Sequence, residues 1–139
     1  MISRTIICLG LLLPALVWAD PAKVHCASRD FPNVTGENAI SLVNGPKGYS
    51  LEIKRYSTKD LKKQGLKCQF HPPEMLLLRC TIGDSWLLEA KRHNDQKLDE
   101  SGKLATEDLL TFQLIKSPLG EPTTVAELSF APQSCKAEP

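Results

Sequence analysis

Lys67 to Cys80 reads KCQFHPPEMLLLRC, which is either a stapled β-hairpin or a metal cage. It holds two cysteines, a histidine, a methionine and a Pro-Pro pair. As a hairpin, Leu66, Cys68 and Phe70 share one face of the first strand. Leu76, Leu78, Cys80 and Ile82 share one face of the second, because side chains alternate along a strand. A turn near Glu74 sets Cys68 opposite Cys80 and Phe70 opposite Leu78. Opposed residues have Cβ atoms about 4.5–5.5 Å apart, nearest in the non-hydrogen-bonded pairs, so a disulfide closes there with little distortion. Pro72 and Pro73 donate no ladder hydrogen bond and belong in the turn.

The alternative is a soft metal site. Cys68, His71, Met75 and Cys80 supply thiolate, imidazole and thioether, which suit Cu(I) or zinc. Two arguments weigh against it. Cys68 and His71 are three residues apart and point to opposite faces of a regular strand. Thiolates outside the cytoplasm also compete with disulfide formation.

The compartment follows from the N-terminus. Residues 1–19, MISRTIICLGLLLPALVWA, place Arg4 ahead of the apolar run Ile6–Leu13 and end on Val17-Trp18-Ala19. This is the pattern of a cleaved signal peptide, with the cut expected between Ala19 and Asp20. The run is too short for a comfortable span, and no later segment approaches one. The short leader favours a bacterial periplasm, otherwise general secretion.

Five cysteines are present, and Cys8 leaves with the leader, so an even set remains: Cys26, Cys68, Cys80 and Cys135. Four cysteines allow three connectivities, and the hairpin selects Cys68–Cys80, which leaves Cys26–Cys135 to tie the two ends to the body. On the chain-entropy model the long loop contributes about 4–5 kcal/mol and the hairpin loop about 3.

Residues 20–139 read as a single domain. With 42% hydrophobic residues, the chain has apolar material for one core. Once Arg4 is removed, basic and acidic side chains balance at 16 each, so no global field attracts nucleic acid or an anionic membrane. Aromatic residues are only 6%, which argues against a stacking surface for single strands.

Working outward from the hairpin, Asn38–Val43 reads as a strand, ended by Asn44-Gly45-Pro46-Lys47-Gly48. In Tyr49–Tyr56, Leu51 and Ile53 alternate with Glu52 and Lys54, the mark of one wet face. Ser57 and Asp60 start a short helix that Gly65 stops. Gly83-Asp84-Ser85 turns the chain into Trp86–Arg92, a strand or, with Ser85 as cap, a helix. Lys91–Asp108 (KRHNDQKLDESGKLATED) is polar and nearly without apolar residues, so a long surface loop is expected. Leu110–Leu114 and Ala126–Phe130 alternate again, and Cys135 falls in a short tail. About seven to eight strands with one short helix define an all-β, mainly antiparallel domain, a small sandwich or barrel.

No serine lies in G-x-S-x-G, and there is no P-loop, glycine-rich dinucleotide turn or H-E-x-x-H. His25, His71 and His93 are far apart in sequence. No catalytic, cofactor or metal residue is therefore assigned. Trp86, Tyr49 and Tyr56 read as packing residues, or as anchors in a protein interface. The functional expectation is an exported non-catalytic β domain that binds another protein as an inhibitory or accessory module, with Lys91–Asp108 as the contact. The alternative is a periplasmic metal-handling protein built on Cys68, His71, Met75 and Cys80. An enzyme of unrecognised type is the third reading.

Overall fold

The computed structural model describes residues 19–28, 38–54, 56–62, 64–72 and 75–139. The expected leader lies outside these residues except for Ala19, and so do Pro73 and Glu74 of the hairpin turn.

Among the described residues, three strands come first: β1 (Lys23–Ser28), β2 (Asn38–Gly45) and β3 (Gly48–Ile53). Each turns alternate residues inward: Val24 and Cys26, Ile40 and Leu42, then Tyr49, Leu51 and Ile53. Gly45 and Gly48 face each other across the two-residue turn Pro46-Lys47. A single helical turn, α1 (Lys59–Lys62), follows and buries Leu61. Ser57 was the expected start. Instead Thr58 precedes the turn, its carbonyl accepting from the Leu61 N–H at 3.0 Å and its buried hydroxyl donating to the Leu51 carbonyl at 2.8 Å.

The second half is a meander of β4 (Lys67–His71), β5 (Leu77–Ile82), β6 (Trp86–Leu98), β7 (Leu104–Lys116) and β8 (Thr123–Phe130). A short 3-10 turn (Pro132–Ser134) leads to β9 (Cys135–Glu138). Every pairing is antiparallel, in two sheets of order β9-β1-β2-β3 and β4-β5-β6-β7-β8. Neighbours in space are thus neighbours in sequence, except where β9 returns to β1.

The apolar faces of the two sheets meet in one core. Ile40, Leu42 and Leu51 from the first sheet join Leu78, Leu88, Leu110, Phe112, Leu114 and Phe130 from the second. Phe112 and Phe130 pack edge to face, centroids 6.0 Å apart, the geometry that aromatic quadrupoles favour. The sheets join at one corner through Tyr49 and Leu66, whose backbones exchange hydrogen bonds of 2.9 and 2.8 Å. Gly48 (φ +121°) and Gly65 (φ +72°) lie at that corner. Left-handed φ and close backbone approach there both require glycine. The all-β expectation thus resolves into a two-sheet sandwich.

Trp86–Arg92 is strand: Leu87, Leu88 and Ala90 pair with Ile115, Leu114 and Phe112. Three expectations need correction. Lys91–Asp108 is no long loop, because β6 runs on to Leu98 and β7 resumes at Leu104. The tail at Cys135 is strand β9, and β1 before the second strand was not anticipated. Both end strands are short. They are held by pairing with each other and by a disulfide, which local propensity does not show.

Candidate interaction site: a projecting ribbon

Leu88 and Ala90 of β6 and Leu110, Phe112 and Leu114 of β7 face the core. One step further out, apolar alternation stops. β5 pairs with β6 only as far as Ala90 opposite Leu78, and β8 pairs with β7 only as far as Leu110 opposite Phe130. Beyond those points, Arg92–Leu98 and Leu104–Leu109 are paired only with each other among the described residues. Without an apolar face there is nothing for a second layer to cover. The result is a two-stranded ribbon extending the sheet past the sandwich.

An isolated two-stranded hairpin is at best marginally stable in water. Polar contacts brace this one. Arg92 grips the Asp108 carboxylate, with Nη2 donating to Oδ2 at 2.6 Å and Nε lying 3.0 and 3.1 Å from the two oxygens. Lys97 meets Glu107 at 2.6 Å on the opposite face. The hydrogen bond from Arg92, then its charge and that of His93, hold the Asp108 carboxyl below its ordinary pKa.

The tip turn Asp99–Lys103 is organised by one carboxylate. Asp99 Oδ1 accepts from Ser101 Oγ at 2.6 Å and from the backbone N–H groups of Ser101 and Lys103, both at 2.9 Å. The Ser101 hydroxyl chiefly, and those backbone donors, push its pKa down. Gly102 supplies the left-handed φ of +81°. Just behind the turn, Leu98 and Leu104 are directly opposed, so their side chains share one face. They are 71% and 70% exposed.

Where the ribbon leaves the sandwich, its outer face carries a polar groove. His93 Nε2 is hydrogen-bonded to Thr111 Oγ1 at 2.7 Å, and Thr111 Oγ1 to Ser129 Oγ at 2.8 Å. Gln113 donates to Glu127 at 2.8 Å beside them. The groove, about 430 Å³, also takes in Glu89, Lys91 and Asp95.

The four cysteines singled out from sequence form two disulfides, Cys26–Cys135 and Cys68–Cys80, with Cα atoms 4.1 and 4.0 Å apart. The hairpin register is the one expected, Cys68 opposite Cys80 and Phe70 opposite Leu78. The alternative ligand set is not assembled. Both its cysteine sulfurs are tied in the disulfide, Met75 is buried at 8% exposure, and His71 is exposed on the opposite face of β4. Among the described residues, no group of three or more His, Cys, Asp or Glu side chains could hold a metal ion.

The histidines are not brought together. His25 bonds Ser41 on the outer face of the first sheet at 2.7 Å, His71 ends β4, and His93 lies at the ribbon base. Tyr49 is buried, packs on Phe70 at 5.1 Å and donates to the Pro21 carbonyl at 2.6 Å. Burial, then the Asp20 charge, raises its pKa. Trp86 is half-buried with the Lys116 ammonium 5.8 Å from its ring centre.

The leucine pair escaped sequence reading, although a signal was present. Leu98 and Leu104 flank Asp-Glu-Ser-Gly-Lys, a glycine-bearing hairpin loop between two apolar residues. No protein-family model matches the chain, no curated protein is detectably similar to it, and no solved structure matches it.

Proposed function

We propose that this chain is an exported, non-catalytic module that binds another protein as an inhibitor or accessory subunit, and that the β6–β7 ribbon is the contact. One observation carries the reading: a strand pair longer than the sandwich needs, braced from base to tip and ending in two exposed leucines. Such an arm is shaped by its own cross-strand contacts before a partner arrives, which limits the ordering entropy lost on binding. The two disulfides fit an oxidising compartment. No helix among the described residues is long and apolar enough to cross a membrane. With the leader-like N-terminus, these features support export, in a bacterium to the periplasm.

The test is a shortened protein in which residues 94–108 are replaced by Asn-Gly, joining His93 to its register partner Leu109. Intact mass, with no cysteine alkylated under denaturing conditions, checks that both disulfides are kept. The shortened protein is expected to lose the partner that the full chain binds in its exported compartment. Undiminished binding would overturn the proposal.

A further inference from the structure

The tip combines three features. Its apex carries two carboxylates, Asp99 and Glu100, against one ammonium, Lys103, and behind it stand Leu98 and Leu104, side by side. The turn is locked by the Asp99 side chain through three hydrogen bonds. The other strongly exposed apolar residues among those described, Val43, Leu77 and Leu119, sit on separate elements. Scattered exposed leucines need no explanation. A pair opposed across a rigid turn, on a ribbon whose same face otherwise carries Arg92, Asn94, Gln96, Thr106 and Asp108, is a different case. Such a pair is already placed side by side for an apolar pocket, which limits the ordering cost of binding.

We infer that the ribbon tip inserts into a cleft of a partner protein that has apolar walls for Leu98 and Leu104 and a cationic floor for Asp99 and Glu100. The inference rests on the ribbon being the contact surface. The order of residues along the arm selects this occupant. Entering a bilayer, the two carboxylates would go in ahead of the leucines and lose their water with only the single Lys103 ammonium to offset them. A second copy would have to set acidic apex against acidic apex if tips met symmetrically. A protein cleft with lysine or arginine at its base meets both the charge and the apolar pair.

The experiment places the diazirine analogue of leucine singly at positions 98, 104 and, as a control, 119, in the full chain in its exported compartment. After irradiation, adducts are resolved by mass and the cross-linked peptides are mapped. Polypeptide adducts at 98 and 104 at least tenfold above 119 are expected, on a peptide that bears Lys or Arg. The paired change Asp99→Asn with Glu100→Lys keeps the Asn side-chain oxygen as turn acceptor while removing the acidic apex. It is expected to cut the adduct by at least tenfold.

Adducts to phospholipid, adducts to a second copy of this chain, no excess over position 119, or indifference to the charge change would each overturn the inference. Two further outcomes separate it from the reading beneath. If replacing residues 94–108 abolishes binding but Leu98→Ser with Leu104→Ser does not, the ribbon is the contact and the tip is not its anchor. If neither change matters, both fail.

Discussion

Leu88 and Arg92 lie on the same face of the same strand, four residues apart. Leu88 is fully buried, while the Arg92 side chain keeps 40% of its surface in solvent. Between them the molecule changes its source of order. The body is held by burial: two apolar sheet faces close over one core and two disulfides staple its edges. The ribbon has almost nothing to bury and is held by cross-strand ion pairs, hydrogen bonds and a carboxylate-locked turn. Burial is cooperative and leaves no part free to open alone. Exposed polar contacts are weak and screened, so the ribbon can loosen without the body.

The largest expected effect lies in the body. Cys26→Ser with Cys135→Ser releases a constraint across 109 residues and should reduce stability by about 5 kcal/mol on the chain-entropy model, against about 3 for Cys68→Ser with Cys80→Ser. Urea melts of the two variants measure this. The reverse ranking would mean that β9 holds β1 without its disulfide.

Leu88→Ala tests the contrast within one strand. It should lower stability by about 3 kcal/mol through lost burial and a cavity. Arg92→Ala should leave the thermal midpoint in place and speed amide exchange only between residues 91 and 109. Faster exchange throughout would show that ribbon and body open together.

Gly65→Ala probes the corner where the sheets join. A Cβ there would press on the Lys47 carbonyl in a left-handed backbone, and a loss of about 2 kcal/mol is expected. Gly102→Ala has open space for its Cβ and only the unfavourable φ of +81°. It should change global stability far less, and equal thermal shifts for the two would contradict this account.

The smallest effect concerns pH. Asp99 and Asp108 both titrate below the ordinary carboxylate value in the folded chain. Depressed carboxyls stabilise the ribbon fully above the unfolded value, and that contribution fades as pH falls through the lower, folded ones. The side-chain carboxyl carbon shifts of Asp99 and Asp108 in NMR should hold steady from pH 7 to about 5 and move only below about 4. Movement in the neutral range would point to a different group.

Much of the body was legible because its physics is local. Leu51 and Ile53 alternate with Glu52 and Lys54, and that alternation alone puts β3 on a half-buried sheet. The Cys68–Cys80 hairpin followed from side-chain alternation and two prolines. The ribbon was hidden for the same reason. Lys91–Lys97 alternates nothing apolar, so it resembles a loop, and only continuation from the buried ends of β6 and β7 reveals a strand. The leucine tip was missed because two residues six places apart become a pair only once the hairpin closes.

The all-β class, the two disulfide pairs and the inward faces of most strands were written in the residues alone. Each follows from period-two hydrophobicity and the short reach of a disulfide. Pairing in three dimensions was needed to show that the strands form two sheets joined at Tyr49 and Leu66, that β9 returns to β1, and that a polar stretch stands out as a ribbon. Those features depend on which strand edges meet, and edge pairing is made by backbone groups that every residue carries alike.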